Sequence, residues 1–174
     1  MNIDQATAFV RDNPRAVLAT MRRDGTPQMT PVLVGVDEKN RLVISTRETA
    51  IKVANVRRAP RAWVCVLNDR FYGAWAQLGG DVAVVSLPEA MEPLVEYYRG
   101  ISGEHPDWDD YRAAMVRDQR VLVRVTITRA GPDATNPPTA RPETSGAPCA
   151  PRRYSSSSVG TRCEATVSGR ACTM

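Results

Sequence analysis

The chain of 174 residues is short of lysine, of histidine and of aromatics, and each shortage excludes something. Only Lys39 and Lys52 among its 23 basic residues are lysine, so arginine carries nearly all the positive charge of a chain whose formal net charge is +4. Aromatics make up 6% of the sequence. They are not interleaved with the arginines as base-stacking platforms are, which argues against a nucleic-acid binder. The single histidine, His105, lies in the loop-like stretch Gly103-Glu104-His105-Pro106, where capping or bridging the loop is the expected role; a serine–histidine–aspartate triad is unsupported. The longest apolar runs, such as Pro31 to Val36, are too short to span a bilayer, so no membrane association is expected. Asp4 precedes any cationic run and no apolar stretch closes on small residues near the start, so the first residues do not read as a secretory signal and a cytoplasmic location is expected. Cys65, Cys149, Cys163 and Cys172 lack the short paired spacings of zinc ligands and read as free thiols. Neither a dinucleotide-binding glycine fingerprint nor a P-loop occurs.

Hydrophobic patterning predicts one mainly β domain over residues 1–130. A short helix runs to Asp12, with Asp4 as its cap, and stops at Asn13-Pro14. Ala16 to Ala19 reads as a first strand, Asp24-Gly25 as a hairpin turn, and Gln28 to Asp37 as a second strand. Arg41 to Thr46 is a third strand and Glu48 to Arg58 a helix ended by Pro60. Arg61 to Leu67 and Tyr72 to Val85 follow as strands, the latter with a possible bulge at Gly79-Gly80, where side chains are missing. Two helices, from Pro88 to Gly100 and from Asp107 to Arg117, precede a sixth strand, Val121 to Ile127. The acidic residues Asp107, Asp109 and Asp110 read as a helix start, so no metal site is expected. Six antiparallel strands with short helices suit a small barrel. From Gly131 onward proline and serine dominate, and residues 131–174 read as a disordered tail.

Chemistry concentrates around Ser45-Thr46, Lys52 and the arginines Arg57, Arg58 and Arg61. Small hydroxyls at a strand end and cations on the next helix form a cradle for phosphate oxygens. The same pattern also describes a solvated helix face that simply carries charge. Tyr72, Trp75, Trp63 and Trp108 are candidates to stack on a planar ligand, with core packing as the ordinary alternative.

Val17-Leu18-Ala19-Thr20 followed by Asp24-Gly25-x-Pro27-Gln28, and then Lys52-x-x-Asn55-x-Arg57-Arg58-x-Pro60-Arg61, together resemble the pyridoxamine 5′-phosphate oxidase-like superfamily. The stretch Tyr98-Arg99-x-Ile101-x-Gly103-Glu104-His105-Pro106-Asp107-Trp108-Asp109-Asp110-Tyr111-Arg112 is similar to its actinobacterial branch, whose members use the deazaflavin coenzyme F420. The resemblance covers residues 1 to about 130 and implies an FMN-binding split β-barrel that forms a homodimer with cofactor sites at the interface. It further implies that Lys52 and Arg58, with Ser45, Thr46 and Ile51, hold the cofactor phosphate. Gln28, Met29, Thr30, Pro31 and Val32 would run along the ring system, and Tyr72, Gly73, Ala74 and Trp75 would complete the site. The chain departs from several relatives at Ala50, where they place an arginine. The implied reaction is hydride delivery from reduced F420 to an unsaturated or heteroaromatic small molecule. An FMN-dependent oxidase or reductase, and a non-catalytic F420 carrier, are the alternatives.

Overall fold

A computed structural model describes residues 1–70 and 73–132. Phe71, Tyr72 and residues 133–174, which include the expected tail and Cys149, Cys163 and Cys172, lie outside the described residues.

The chain opens with α1 (Ile3–Asp12), which is capped by Asn2 rather than Asp4. Asn2 Oδ1 accepts from the Gln5 backbone N–H at 2.8 Å, and Gln5 Oε1 accepts from the Asn2 N–H at 3.1 Å, a reciprocal capping box. Pro14 follows, and β1 (Arg15–Met21) pairs antiparallel with β2 (Pro27–Leu33) through the Asp24-Gly25 turn. Gly25 sits there at φ +82°, a conformation that costs glycine little. β3 (Gly35–Val36) and β4 (Leu42–Arg47) lead into α2 (Ile51–Arg58), then β5 (Arg61–Leu67) and β6 (Trp75–Val85). Helices α3 (Met91–Ser102) and α4 (Trp108–Arg117) precede β7 (Arg120–Gly131), which runs four residues past the expected Ile127.

The expected six strands are seven, because the predicted strand Gln28 to Asp37 breaks at Val34. Val34 is buried, its N–H donates to the Pro14 carbonyl at 2.8 Å, and the chain changes partner there: β2 pairs with β1, whereas β3 pairs with β4. The sheet order is β2-β1-β5-β6-β7-β4-β3. A single residue separates its two outermost strands in sequence, so the sheet must curl until its ends meet. The result is an antiparallel barrel whose wall stays open between β2 and most of β4, the split barrel that the family resemblance implied.

Strand alternation fills the interior. Leu18, Leu42, Ile44, Val64, Val66, Leu78, Val123 and Val125 are fully buried there. A second core lies outside the barrel wall, where Val43 and Leu122 pack under Leu94, Val95, Tyr111 and Met115 of α3 and α4. The expected bulge occurs at Gly79/Gly80, but the surplus residue belongs to β7. Gly79 faces Arg129 and Gly80 faces Ile127, leaving Thr128 without a partner. A Cβ on Gly80 would stand 1.9 Å from the Thr126 carbonyl oxygen, so this close approach of the two strands requires glycine.

Candidate functional site

The opening in the barrel wall sets the site. β2 has β1 on one edge and no strand on the other, and β4 beyond Val43 is paired only with β7. Gln28 to Leu33 and Ile44 to Arg47 therefore face one another across a strip of backbone that no ladder closes among the described residues. Backbone N–H and C=O groups left in that state favour a partner with hydrogen-bonding edges. Tyr97 of α3 reaches into the same opening, and its hydroxyl donates to the Leu33 carbonyl at 3.0 Å. Burial pushes the Tyr97 phenol pKa up to about 12, with the Ser45 backbone pulling the other way.

Lys52 stands at the end of this strip, on the first turn of α2. It is half-buried, its Nζ donates to Thr46 Oγ1 at 3.3 Å, and no carboxylate pairs with it among the described residues. Burial lowers its pKa and the neighbouring Arg120 cation lowers it further. The start of α2 is equally open: Ala50 supplies no side-chain cap. A half-buried ammonium without a counter-ion, beside a hydroxyl and an uncapped helix start, is a donor set that fits a phosphate group.

The structure distributes the other predicted residues unevenly. Thr46 faces the barrel interior with Leu42 and Ile44, so Ser45 projects to the opposite face of β4, toward α3. Gln28, Thr30 and Val32 alternate inward on β2 and are half-buried, whereas Met29 and Pro31 point outward. Gln28 is held in place: Asn55, buried on α2, donates from Nδ2 to Gln28 Oε1 at 2.9 Å and to Thr20 Oγ1 at 3.1 Å. Arg58 donates to the Met21 carbonyl and, at 3.5 Å, to Asn55 Oδ1, which ties it to the β1–β2 hairpin. Arg57 turns away to Glu48, at 2.7 Å, and Ser86. Ile51 is exposed at the start of α2.

Gly73, Ala74 and Trp75 lie elsewhere. Trp75 pairs with Leu67 at one end of β5, while the Asn55 partner Thr20 pairs with Ala62 near the other. Five residue steps along β5, from Ala62 to Leu67, separate those two levels, roughly 17 Å. Within one chain Trp75 and Lys52 do not share a pocket. Trp75 instead joins Trp63 and Leu67, and Met29 and Leu33 of β2, on the outer face of β2-β1-β5-β6, where all five are at least one-third exposed. Cys65, a free thiol whose pKa burial pushes up, lies between them.

Sequence reading missed Asn55, Tyr97 and Arg120 as site residues. The signal for Asn55 was an amide between Val53 and Val56 on the apolar face of a helix, since a buried amide must be hydrogen-bonded. Elsewhere the bland readings describe the geometry. His105 Nδ1 accepts from the Asp107 N–H at 3.0 Å within a cluster of Tyr98, Trp108 and Tyr111, and Asp107 caps α4 through the N–H groups of Asp109 and Asp110. No helix among the described residues is long and apolar enough to cross a membrane.

Comparison with known proteins fits this architecture. A conserved hypothetical protein of Mycobacterium tuberculosis shares 24% identity, with a TM-score of 0.62 over 75% of this chain and 82% of its own. An F420 reductase shares 22% identity, with a TM-score of 0.55 over 70% and 93% of the two chains. General Stress Protein 26 of Bacillus anthracis shares 14%, with a TM-score of 0.53 over 74% and 90%. At these identities the likeness is one of fold. The model of the pyridoxamine 5′-phosphate oxidase family matches residues 3–132, and the chain belongs to that family.

Proposed function

We propose that the protein is an oxidoreductase that uses reduced coenzyme F420 to reduce an unsaturated or heteroaromatic small molecule. The observation that carries this reading is Lys52, a half-buried cation at the end of an open strip of backbone, with a hydroxyl neighbour and no carboxylate partner among the described residues. The fold shared with an F420 reductase supports the choice of cofactor. In this reading Lys52 and Thr46 hold the phosphate, with Ile51 and the uncapped start of α2 beside them. Backbone groups of Gln28 to Val32 and of Ser45 contact the ring edge, and Asn55 keeps Gln28 and Arg58 in place. When bound, a reduced deazaflavin supplies a hydride, a two-electron reductant, so the protein's part is to bind, orient and exclude water.

The site is completed by a second copy of the chain. The outer face of β2-β1-β5-β6 presents Met29, Leu33, Trp63, Leu67 and Trp75 to solvent in a single chain, a contiguous apolar surface of the kind that marks an interface. In this reading, Gly73, Ala74 and Trp75 of one copy complete the opening of the other, which they do not reach within one chain.

Parallel titrations of the purified protein with F420 and with FMN test the cofactor. Saturable, selective F420 binding supports the reading. Preference for FMN, favoured by the same phosphate cradle and by the family match, makes the protein an FMN-dependent oxidase or reductase. F420 binding without turnover of any acceptor leaves a carrier. Lys52→Ala is expected to weaken cofactor binding by about 1.5–3 kcal/mol, the loss of a charge-assisted hydrogen bond. Unchanged affinity in the folded variant removes Lys52 from the site.

A further inference from the structure

A cleft of about 760 Å³ opens between α3 and the β3–β4 edge; it shares Tyr97 with the opening in the barrel wall but is lined by none of Gln28 to Leu33, Ile44 to Arg47 or Lys52. Its bed is apolar: Val43 and Leu122 rise from the outer faces of β4 and β7, and Tyr97 and Ile101 close it from α3. Gly35 forms part of the wall, where a Cβ would stand 3.3 Å from Val43 Cγ2 and 3.4 Å from Tyr97 Cδ2. The volume falls within the range of small-molecule sites, about 300–1,000 Å³.

The charges of the cleft are not evenly satisfied. Asp37 accepts from the backbone N–H groups of Lys39 and Arg41, each at 2.9 Å, and from Arg41 Nε at 2.8 Å. Asp37 thus accepts three hydrogen bonds from its own turn, while Arg124 Nε, itself buried, lies 3.7 Å from Asp37 Oδ2, outside hydrogen-bond range and without another partner among the described residues. The Arg124 side chain is 22% exposed, and Asp37 is its sole ionic neighbour among the described residues. The acids on the α3 rim are already occupied, Glu92 by Arg112 at 3.2 Å and Glu96 by Arg99 at 2.6 Å. Arg11 and Arg41 face the cleft from the other side, together with the exposed Glu38, which makes no ion pair among the described residues. A mostly buried guanidinium sharing one carboxylate with a second arginine is poorly compensated, and a carboxylate ligand is the group that matches its fork of donors.

We propose that this cleft binds a small amphipathic carboxylate, with its carboxylate on Arg124 and its hydrocarbon or aromatic body on Val43, Leu122 and Ile101. An inorganic anion would leave the apolar bed uncovered, and a cationic ligand would meet Arg11, Arg41 and Arg124 with Asp37 already shared between two of them. The site meets the proposed cofactor opening only at Tyr97 and includes none of the residues proposed to hold the cofactor, so it does not depend on which cofactor, if any, the protein uses.

The test is amide NMR of the full chain, without cofactor, titrated in parallel with octanoate, 1-octanol and octylamine. Octanoate is expected to shift the Gly35 and Gly100 resonances and to bind at least ten-fold more tightly than the other two. Arg124→Gln is expected to reduce octanoate to the level of octanol. Gly100→Trp is the second variant. The cleft borders Gly100, whose added Cβ meets nothing within 4 Å, and replacing a helical glycine does not threaten α3. The indole is expected to fill the cleft and abolish binding while the thermal transition is kept. Equal binding of the amine or the alcohol, shifts confined to the Trp63 and Trp75 face, binding that survives Gly100→Trp, or no response to millimolar octanoate would each overturn the proposal.

Discussion

The two faces of β5 carry residues of similar chemistry in opposite circumstances. Ala62, Val64 and Val66 point into the barrel and are fully buried, whereas Trp63 and Leu67 point out and keep over a third of their surface in water. The inner row is satisfied by one chain, since Leu18, Leu78 and their neighbours surround it. The outer row is only partly covered, and hydrophobicity at such positions adds less to the stability of a lone barrel than it does inside. The inner face thus encodes the fold, and the outer face is where we propose that a second copy packs. The sharpest way to break the comparison is to damage each face separately. Leu18→Ala, in the inner core, is expected to cost about 2–5 kcal/mol, read as a lower denaturant midpoint. Trp63→Glu combined with Leu67→Glu is expected to lower the unfolding free energy of the single chain less than Leu18→Ala does while shifting sedimentation to the monomer. A double variant that remains dimeric would move the interface elsewhere.

Between these extremes lies Asn55, a polar residue doing an inner-face job. Asn55→Ala removes the donor for Thr20 and Gln28 and frees Arg58, and leaving those buried groups unpaired is expected to cost about 1–3 kcal/mol. The same variant is expected to weaken cofactor binding, because Gln28 loses its anchor. Asn55→Asp keeps the size and an acceptor for Arg58 but no donor, so recovery of stability without recovery of binding would separate the two roles.

Much of the inner face was legible from residue patterning, and the reasons explain what was not. β5 was read to the residue because Arg61 to Leu67 alternates between β-prone types and is bounded by Pro60. The break at Val34 was not, since Pro31 to Val36 is continuously apolar and a change of pairing partner leaves no local mark. The extra residue of the bulge was sought at Gly79-Gly80, where flexibility is visible, and occurs opposite them at Thr128, where it is not. Lys52 and Thr46 are brought together as the spacing suggested, but Ser45 shares their stretch of sequence and not their face. Arg58 has the right charge for a phosphate contact and spends it on the Met21 carbonyl, a choice fixed by the hairpin packed beside it. Tyr97 belongs to a helix sixty residues beyond the strand it touches, and only tertiary structure reveals such a contact.

Tyr97 also gives the finest distinction between a face sealed by one chain and one left open. Its hydroxyl holds the Leu33 carbonyl at the rim of the opening, and its folded pKa of about 12 lies above the ordinary value of 10.0. A raised folded pKa means the phenol contributes stability that is fully present below pH 10 and is lost as the pH climbs toward 12. Lys52 has the opposite sign: its depressed pKa makes the charged form a burden at neutral pH, relieved as the pH rises through its folded value. Tyr97→Phe is therefore expected to cost about 0.5–1.5 kcal/mol near neutrality and to remove the decline in stability between pH 10 and 12 that belongs to this group. Phosphate-bearing cofactor should leave the Tyr97 step in place while raising the Lys52 pKa, followed through the side-chain carbon next to its nitrogen. A Lys52 pKa indifferent to cofactor would mean that this cation faces solvent chemistry only, and that the opening in the barrel wall takes its ligand without it.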